Sequence, residues 1–268
     1  MNINNSQVML IGASGGIGQA TAKALAEAGA RLILVGRNQA SLSTLQSELT
    51  NSQQHQILLA DITSPSGILA IKQLAQALAQ QGQAIDVLIN NAGYNSFALL
   101  SQRSAQQIEQ ELKVNLLAPM QICQALLSHL KQPGYIVNIG STFGSIGYPG
   151  YTSYCAAKAG LQRFTEALDR ELSHTGIRSF YLAPRATDTA LNSQAVNRLN
   201  QQLGNKTDSP EVVASHLLTV LRKEIPCKWI GWPEKFFARL NQLFPRLVAA
   251  AIDKQKESIN QHLNRVKH

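Results

Sequence analysis

Only three cysteines occur in the chain, Cys123, Cys155 and Cys227, and no two of them stand in a CxxC spacing. That excludes a disulfide framework and a cysteine-based zinc site as organising devices, and it fits a reducing cytoplasm. The six histidines, at 55, 129, 174, 216, 262 and 268, are dispersed, with no cluster of His, Cys and Asp at ligand spacing. Metal-free chemistry is expected. No apolar run approaches the roughly 18 to 20 residues of a membrane-spanning helix. The opening MNINNSQ is polar and uncharged, which is not the pattern of a signal peptide. Repeats, low-complexity segments and linkers are absent. The chain therefore reads as one domain over residues 1–231 with a C-terminal amphipathic helical extension over 232–268.

Charge is also scarce, at 15% of residues, and the net value of +8 is unevenly placed. From Arg222 onward ten Lys and Arg stand against four Asp and Glu, which is +6 of the +8. The remainder is nearly neutral, so the basicity belongs to a tail and not to a nucleic-acid face. The tail holds no recognised nucleic-acid module, and its charges share a helix with many Phe and Leu, so no nucleic-acid partner is expected.

What is present is a chain of 268 residues, 44% hydrophobic, long enough for one large α/β core. Short apolar runs at 8–12, 31–36, 56–61, 85–91, 134–141, 177–184 and 227–231 read as about seven strands. They alternate with helical stretches over 19–29, 41–49, 64–81, 104–130, 151–175, 188–202 and 209–224. Continuous apolar strands imply a parallel sheet covered on both faces.

The first strand runs into GASGGIG, with Gly12, Gly15, Gly16 and Gly18 spaced Gly-xxx-Gly-x-Gly. A glycine-rich turn between a first strand and a helix brings backbone N–H groups and the helix N-terminus against a pyrophosphate. A nucleotide site is expected there, with Gly12, Ser14, Gly16, Ile17 and Gly18 in contact. The second strand ends in Gly36-Arg37-Asn38. An acid at that place would accept from a ribose 2′-hydroxyl, whereas arginine favours a 2′-phosphate. Arg37, helped by Ser14, therefore points to NADP(H). Asp61 and Ile62, after the third strand, lie where adenine is reached; Asp61 as the N-cap of the next helix is the alternative.

Tyr154 and Lys158, in TSYCAAKAG, stand one helical turn apart. With GASGGIG at 12–18, NNAG at 90–93, Asn115 in KVNLLAP, and Ser141 thirteen residues before Tyr154, the chain resembles the short-chain dehydrogenase/reductase family over residues 7 to about 190. The resemblance implies a single Rossmann-type doubly wound parallel sheet and an NADP-dependent oxidoreductase. In it Tyr154 would be the general acid or base, and Lys158 would favour the phenolate and hold the nicotinamide ribose. Ser141 would bind the substrate oxygen, and Asn115 would hold a water linking Lys158 to solvent. A helix kink ahead of Pro119 is the structural alternative for Asn115. Asn91, Ala92 and Gly93 would pass the cofactor ribose, with Asn91 also tying the fourth and fifth strands. Pro184, Thr187 and Thr189 would border the nicotinamide.

Two positions depart from the family pattern. Ile11 stands where Thr is usual, and Arg185 where Gly follows the proline. Arg185 would meet an anionic substrate group or turn outward to Asp188.

After Trp232 and Pro233, apolar residues at 236, 237, 240, 243, 244, 247, 248, 251 and 252 form a helical stripe, flanked by Lys235, Arg239 and Arg246 and interrupted by Pro245. Three uses are open: packing on the domain or a dimer mate, lying on a membrane surface through 233–252, or roofing a substrate channel. The Phe/Leu-rich tail favours a small hydrophobic carbonyl or alcohol substrate of ketone or acyl-chain type. Tyr94, Phe97, Phe143, Tyr148 and Tyr151 are candidates to line the pocket. A homodimer or homotetramer is what the resemblance implies. The rival reading is a non-catalytic NADP(H)-binding sensor or scaffold.

Overall fold

The computed structural model describes residues 1–265, and Val266, Lys267 and His268 of the expected extension lie outside the described residues. Seven strands pair in parallel: β1 (Gln7–Ile11), β2 (Arg31–Gly36), β3 (Gln56–Leu59), β4 (Ile85–Asn90), β5 (Leu130–Ile139), β6 (Ile177–Ala183) and β7 (Cys227–Trp229). Their order is β3-β2-β1-β4-β5-β6-β7. The helices are α1 (Gly16–Glu27), α2 (Gln39–Glu48), α3 (Pro65–Gln80), α4 (Ala105–Leu112), α5 (Ala118–Leu126), α6 (Thr152–Glu171), α7 (Gln194–Gln202), α8 (Pro210–Lys223), α9 (Glu234–Leu243), α10 (Pro245–Asp253) and α11 (Lys256–Arg265).

Successive side chains leave a strand on opposite faces, and here both faces are apolar. Val8 and Leu10 of β1 join Leu32, Leu34, Val87 and Ile89 on one side, under Leu25, Leu45 and Leu217 of α1, α2 and α8. Met9 and Ile11 join Ile33, Val35 and Leu88 on the other, under Ile71, Ile122 and Leu168 of α3, α5 and α6. The strand order reverses between β1 and β4, which opens a crevice at their carboxyl ends.

Local chemistry sets the ends of the elements. Gly15 takes the extended N-cap conformation, so α1 starts at Gly16, earlier than the Gln19 expected. It stops at Gly29, whose φ of +84° suits glycine. There the Gly29 N–H donates to Ala26 O and the Ala30 N–H to Leu25 O, a Schellman closure. The helix expected over 104–130 is interrupted by a π-helical segment, Lys113–Leu117. Pro119 has no N–H to give the carbonyl of Asn115 four residues back, so the regular ladder cannot run through this point. The loop before α7 extends to Ser193, which caps the helix through its hydroxyl; helix was expected from 188. Pro233 is the N-cap of α9 and not its first residue. The break between α9 and α10 falls at Phe244, before Pro245. Helix α11 falls in the amphipathic helical extension expected over 232–268, beyond the apolar stripe at 236–252; Ile259 and Leu263 are its buried apolar positions in a polar stretch. Among the described residues no helix is long and apolar enough to cross a membrane.

Candidate active site

The glycine-rich turn leaves β1 at Gly12, whose φ is +78° and where a Cβ would lie 2.7 Å from the Ala92 backbone. A side chain at Gly18 would collide with the Gly12 carbonyl oxygen, so the α1 helix can approach the turn only with glycine there. At Gly16 a Cβ would meet Thr189 Cγ2 at 2.8 Å, so the loop after β6 lies across the start of α1. No side chain caps the α1 N-terminus. Its N–H groups are left for an anion, which helix termini attract through both hydrogen bonding and the aligned peptide dipoles. Ile17 follows at the edge of the large cavity described below.

Arg37 is exposed just past β2 and joins no ion pair among the described residues. Ser14 Oγ lies 3.5 Å from where a Cβ on Gly36 would sit, so the loop hydroxyl and Arg37 share the end of that strand. Asp61 accepts from the Thr63 N–H at 2.9 Å and the Thr63 hydroxyl at 2.8 Å. These bonds, with Arg37 and Lys113 adding charge, hold its carboxyl below the usual range. It does not cap α3: the Gly67 N–H goes to Ser64 Oγ at 3.0 Å. Ile62 is buried against α3.

The NNAG stretch closes the opposite wall. Asn91 Nδ2 donates to Gly12 O at 2.9 Å, and the Asn91 N–H to Ile11 O at 3.1 Å. Asn91 thus ties β4 to β1, not to β5. The β4–β5 tie belongs to the preceding residue: Asn90 Nδ2 donates to Asn138 Oδ1 at 2.8 Å, and Asn138 Nδ2 to Thr165 Oγ1 of α6 at 2.9 Å. Gly93 has nothing nearer than Asn115 Oδ1 at 3.5 Å from a built Cβ, so space is open beside it. The cradle at Gly12, Gly16 and Gly18, the uncapped helix and this opening fit a dinucleotide laid across the carboxyl ends of β1 and β4.

Tyr154, Lys158 and Ser141 converge nearby. Lys158 Nζ donates to Ile139 O at 2.9 Å and lies 5.8 Å from the centre of the Tyr154 ring. Ser141 Oγ accepts from the Phe143 N–H at 3.1 Å, and both Ser141 and Tyr154 border the cavity. Asn115 sits in the π-helical segment, where its Nδ2 donates to Tyr94 O at 2.6 Å and Glu111 O at 2.8 Å. Its Oδ1 accepts from the Tyr94 N–H at 3.3 Å. The expected lowering of the phenol by Lys158 is not what the protein alone produces. Burial pushes the Tyr154 phenol up, and the Ser141 hydroxyl beside it pulls the other way. The same desolvation pushes Lys158 down to about 8, which weakens it as a charge partner.

After β6, Pro184 lines the cavity and Thr187 is buried, its carbonyl accepting from Asn192 Nδ2 at 2.8 Å. Arg185 neither turns to Asp188 nor stands free for an anionic substrate. Its Nε and Nη2 donate to Asp208 at 2.9 and 2.6 Å, and its Nη1 faces Glu234 of α9 at 3.4 Å.

The cavity, about 330 Å³, extends from Ser141 and Tyr154 to the C-terminal helices. Phe143, Tyr148 and Tyr151 line it, together with Phe237, Val248 and Ile252 of the C-terminal helices. Phe143 stacks on Tyr148 with ring centres 5.0 Å apart. Phe97 is packed behind Tyr151 in the core beneath. Tyr94 is exposed and contributes its backbone to Asn115 instead. The tail is therefore part of the pocket, the arrangement its apolar stripe allowed but could not select.

A buried polar knot under this site has no sequence signal. Arg103 Nη1 donates to Glu111 Oε2 at 2.6 Å and Ser153 Oγ at 2.8 Å, with both charged side chains almost wholly buried. Arg103 also bonds Gly150 O at 3.1 Å and the carbonyl of Ser96, while the Ser96 N–H donates to Glu111 Oε1 at 3.0 Å. The knot joins the loop after β4, α4 and the first turn of α6, where Tyr154 follows Ser153. Arg103 and Glu111 are eight residues apart across a loop and a helix, and nothing in the local pattern marks them as a pair.

A family model described as short chain dehydrogenase matches residues 6–200. The 3-oxoacyl-[acyl-carrier-protein] reductase FabG of Vibrio cholerae serotype O1 is 30% identical over 222 residues, covering 80% of this chain and 89% of that protein. An uncharacterized oxidoreductase of Bacillus subtilis, YxnA, is 27% identical over 261 residues, covering 94% of this chain and 72% of that protein, so the likeness runs into the tail. Among solved structures, a short chain dehydrogenase from Burkholderia cenocepacia J2315 in complex with NADP superposes with TM-score 0.78 at 24% identity, covering 88% of this chain and all (100%) of that one. A short chain dehydrogenase/reductase from Burkholderia phymatum in complex with NAD gives TM-score 0.80 at 19% identity, covering 92% and 96%. The NADP and the NAD belong to those two proteins; at these identities the likeness shows the fold. With the sheet order, the glycine-rich turn and the Ser-Tyr-Lys cluster in place, the chain belongs to the short-chain dehydrogenase/reductase family of oxidoreductases.

Proposed function

We propose that the chain is an NADPH-dependent reductase acting on a carbonyl carried by an apolar chain, interconverting it with a secondary alcohol. The observation that carries this reading is the cavity itself: Ser141 and Tyr154 border it, and its surface is mainly apolar, from Phe143, Tyr148, Tyr151, Phe237, Val248 and Ile252, with polar groups such as Asn200 and Gln255 among them. Burying apolar substrate surface there is favourable at about 25 cal/mol per Å². The 3-oxoacyl reductases among the relatives are consistent with an acyl substrate.

When bound, NADPH supplies the hydride. Tyr154 gives its proton to the carbonyl oxygen; burial raises the phenol and opposes that transfer, and the Ser141 hydroxyl pulls it back down. Ser141 holds the same oxygen. Lys158, buried beside Tyr154, holds the ribose and biases the phenolate that remains. Asn115 fixes the backbone at Tyr94, and its role is to hold a water that links Lys158 to solvent. Gly12, Ser14, Gly16, Ile17 and Gly18 cradle the phosphates, and Arg37 takes the 2′-phosphate. Asp61 and Ile62 border the adenine, Asn91, Ala92 and Gly93 the ribose, and Pro184, Thr187 and Thr189 the carboxamide. Leu117 and Met120 are exposed on the interrupted helix, which supports association of subunits through that face.

The test is NADPH oxidation by the purified protein against ketones and 3-oxoacyl thioesters of increasing chain length, with Tyr154→Phe as the blank and a chain lacking residues 233–268 alongside. A rate that climbs with chain length in the full chain and not in the truncated one supports the reading. No rate above the blank on any carbonyl would return the chain to a nucleotide-binding module.

A further inference from the structure

The C-terminal helices present two apolar faces, and the cavity uses one. Ala238 and Val248 are buried, and Phe237, Ala251 and Ile252 turn to the pocket. The opposite face is bare: Trp232 is 71% exposed, Leu243 74% and Leu247 60%, and Phe236 and Phe244 are exposed with them. Five large apolar side chains close together in one short helical pair exceed the scattered apolar exposure of an ordinary surface. Lys235, Arg239, Arg246 and Lys254 are exposed around them. None of these four joins an ion pair among the described residues. Glu234, the acid at the start of α9, is drawn to Arg185 instead, and Asp253 is exposed only at the far end of α10. The face is thus apolar at its centre and basic at its rim. The rings of Trp232 and Phe236 lie 5.9 Å apart, and those of Phe236 and Phe237 5.8 Å apart, so aromatic contact runs from this outer face to the wall of the cavity.

We propose that this outer face docks on the surface of an anionic lipid bilayer. Trp232, Phe236, Leu243, Phe244 and Leu247 enter the interfacial layer, and Lys235, Arg239 and Arg246 meet the headgroup phosphates. α9 and α10 lie in the plane of the surface, since neither is long enough to span it. A second copy of the chain is the weaker occupant, because a twofold contact would set the same cations against each other. The docking is independent of the reaction assigned above.

The experiment is co-sedimentation of the full chain with vesicles of phosphatidylcholine alone and of phosphatidylcholine with phosphatidylglycerol, read together with tryptophan emission. Trp229 is held internally by Ser145 Oγ at 3.1 Å, so the change reports Trp232, and Trp232→Phe checks this. The wild type is expected to pellet with the anionic vesicles and to shift its emission to the blue. The double substitutions Leu243→Ser with Leu247→Ser, and Arg239→Glu with Arg246→Glu, are each expected to weaken binding about tenfold or more. Their thermal midpoints and turnover of a short water-soluble ketone should stay at the wild-type value. The proposal is overturned if the wild type does not pellet with anionic vesicles, or if pelleting survives both double substitutions. It is equally overturned by a concentration-dependent dimer that Leu243→Ser with Leu247→Ser abolishes while vesicles are ignored, which would assign the face to a second copy. Absence of turnover on the ketone, with vesicle binding intact, would count against the reductase reading alone.

Discussion

Arg185 grips Asp208 with two nitrogens, at 2.9 and 2.6 Å, and turns its third toward Glu234 at 3.4 Å. One guanidinium therefore fastens the loop after β6, the loop before α8 and the first turn of the pocket-lining tail. Arg185→Ala leaves two carboxylates facing each other around an empty site, with both ends of the Asp208 pair mostly shielded from solvent. Loss of one partner in such a pair costs about 1–3 kcal/mol, readable as a lower urea midpoint at unchanged slope. Glu234→Gln removes only the longer contact and should cost under about 1 kcal/mol. Its effect should appear instead as a KM rise for long-chain carbonyls that short ones do not share. A stability unchanged by Arg185→Ala would show that the clasp holds nothing.

Glu111 and Arg103 form the buried counterpart of that clasp, with carboxylate and guanidinium 2.6 Å apart. Glu111→Ala strands a buried cation and frees the Ser96 N–H and Ser153 hydroxyl at once. Breaking a buried pair in this way costs about 3–5 kcal/mol, and denaturant unfolding should show it. A loss below about 1 kcal/mol would mean that water enters and solvates Arg103.

Most of the sheet was legible because β1, β2 and β4 are apolar on both faces and end in Gly or Asn, which is a short-range signal. The glycine-rich turn was legible from its place between a first strand and a helix, whereas Asn115, Ser141, Tyr154 and Lys158 stood out only through the family resemblance, the one-turn spacing of Tyr154 and Lys158 deciding nothing alone. What spacing does not encode is contact between distant segments. Arg185 finds Asp208 and Glu234, 23 and 49 residues away, and no local pattern separates that from a pairing with Asp188. The tie assigned to Asn91 belongs to Asn90 for a similar reason: adjacent residues on a strand face opposite ways, and the sequence does not say which amide points inward. The bounds of α11 within the expected helical extension were not legible, because two apolar residues, Ile259 and Leu263, suffice once a cluster is there to receive them. Burial raises the Tyr154 phenol in the protein without its nucleotide; depth of burial is not visible in sequence, whereas charge proximity is.

Arg37 stands exposed at the end of β2 beside Ser14, with no carboxylate paired to it among the described residues. A hydrogen bond from a charged donor to a phosphate is worth about 1.5–3 kcal/mol. Arg37→Ala should therefore weaken NADPH binding about 10- to 100-fold and leave the NADH dissociation constant nearly in place. Fluorescence titration with both nucleotides decides it, and an equal loss for the two would remove the 2′-phosphate from this position.

Tyr154 borders the cavity with Ser141 and lies beside Lys158, whose Nζ is 5.8 Å from its ring centre. Tyr154→Phe keeps the ring, its packing on Tyr151 at 5.9 Å between centres, and the apolar surface. Turnover should fall about 10²-fold or more while NADPH still binds. Turnover that survives the substitution would take the phenol out of the mechanism.

Lys158 loses its proton near pH 8 in the folded chain, because its burial is compensated by a neutral carbonyl rather than an anion. The kcat/KM for NADPH reports groups of the free enzyme, so it should decline as pH rises through about 8. Lys158→Arg keeps its charge far above that range, and its profile should lack the descent even if the rate is lower throughout. The same shift predicts the sign of a stability change. The folded pKa of about 8 lies below the ordinary 10.5, so between those values the unfolded chain binds more protons, and this residue's contribution to stability rises with pH. Against wild type, Lys158→Met should remove that rise, and thermal midpoints at pH 7.5 and 9.5 measure it. A descent in kcat/KM that persists unchanged in Lys158→Arg would assign the titration to another group.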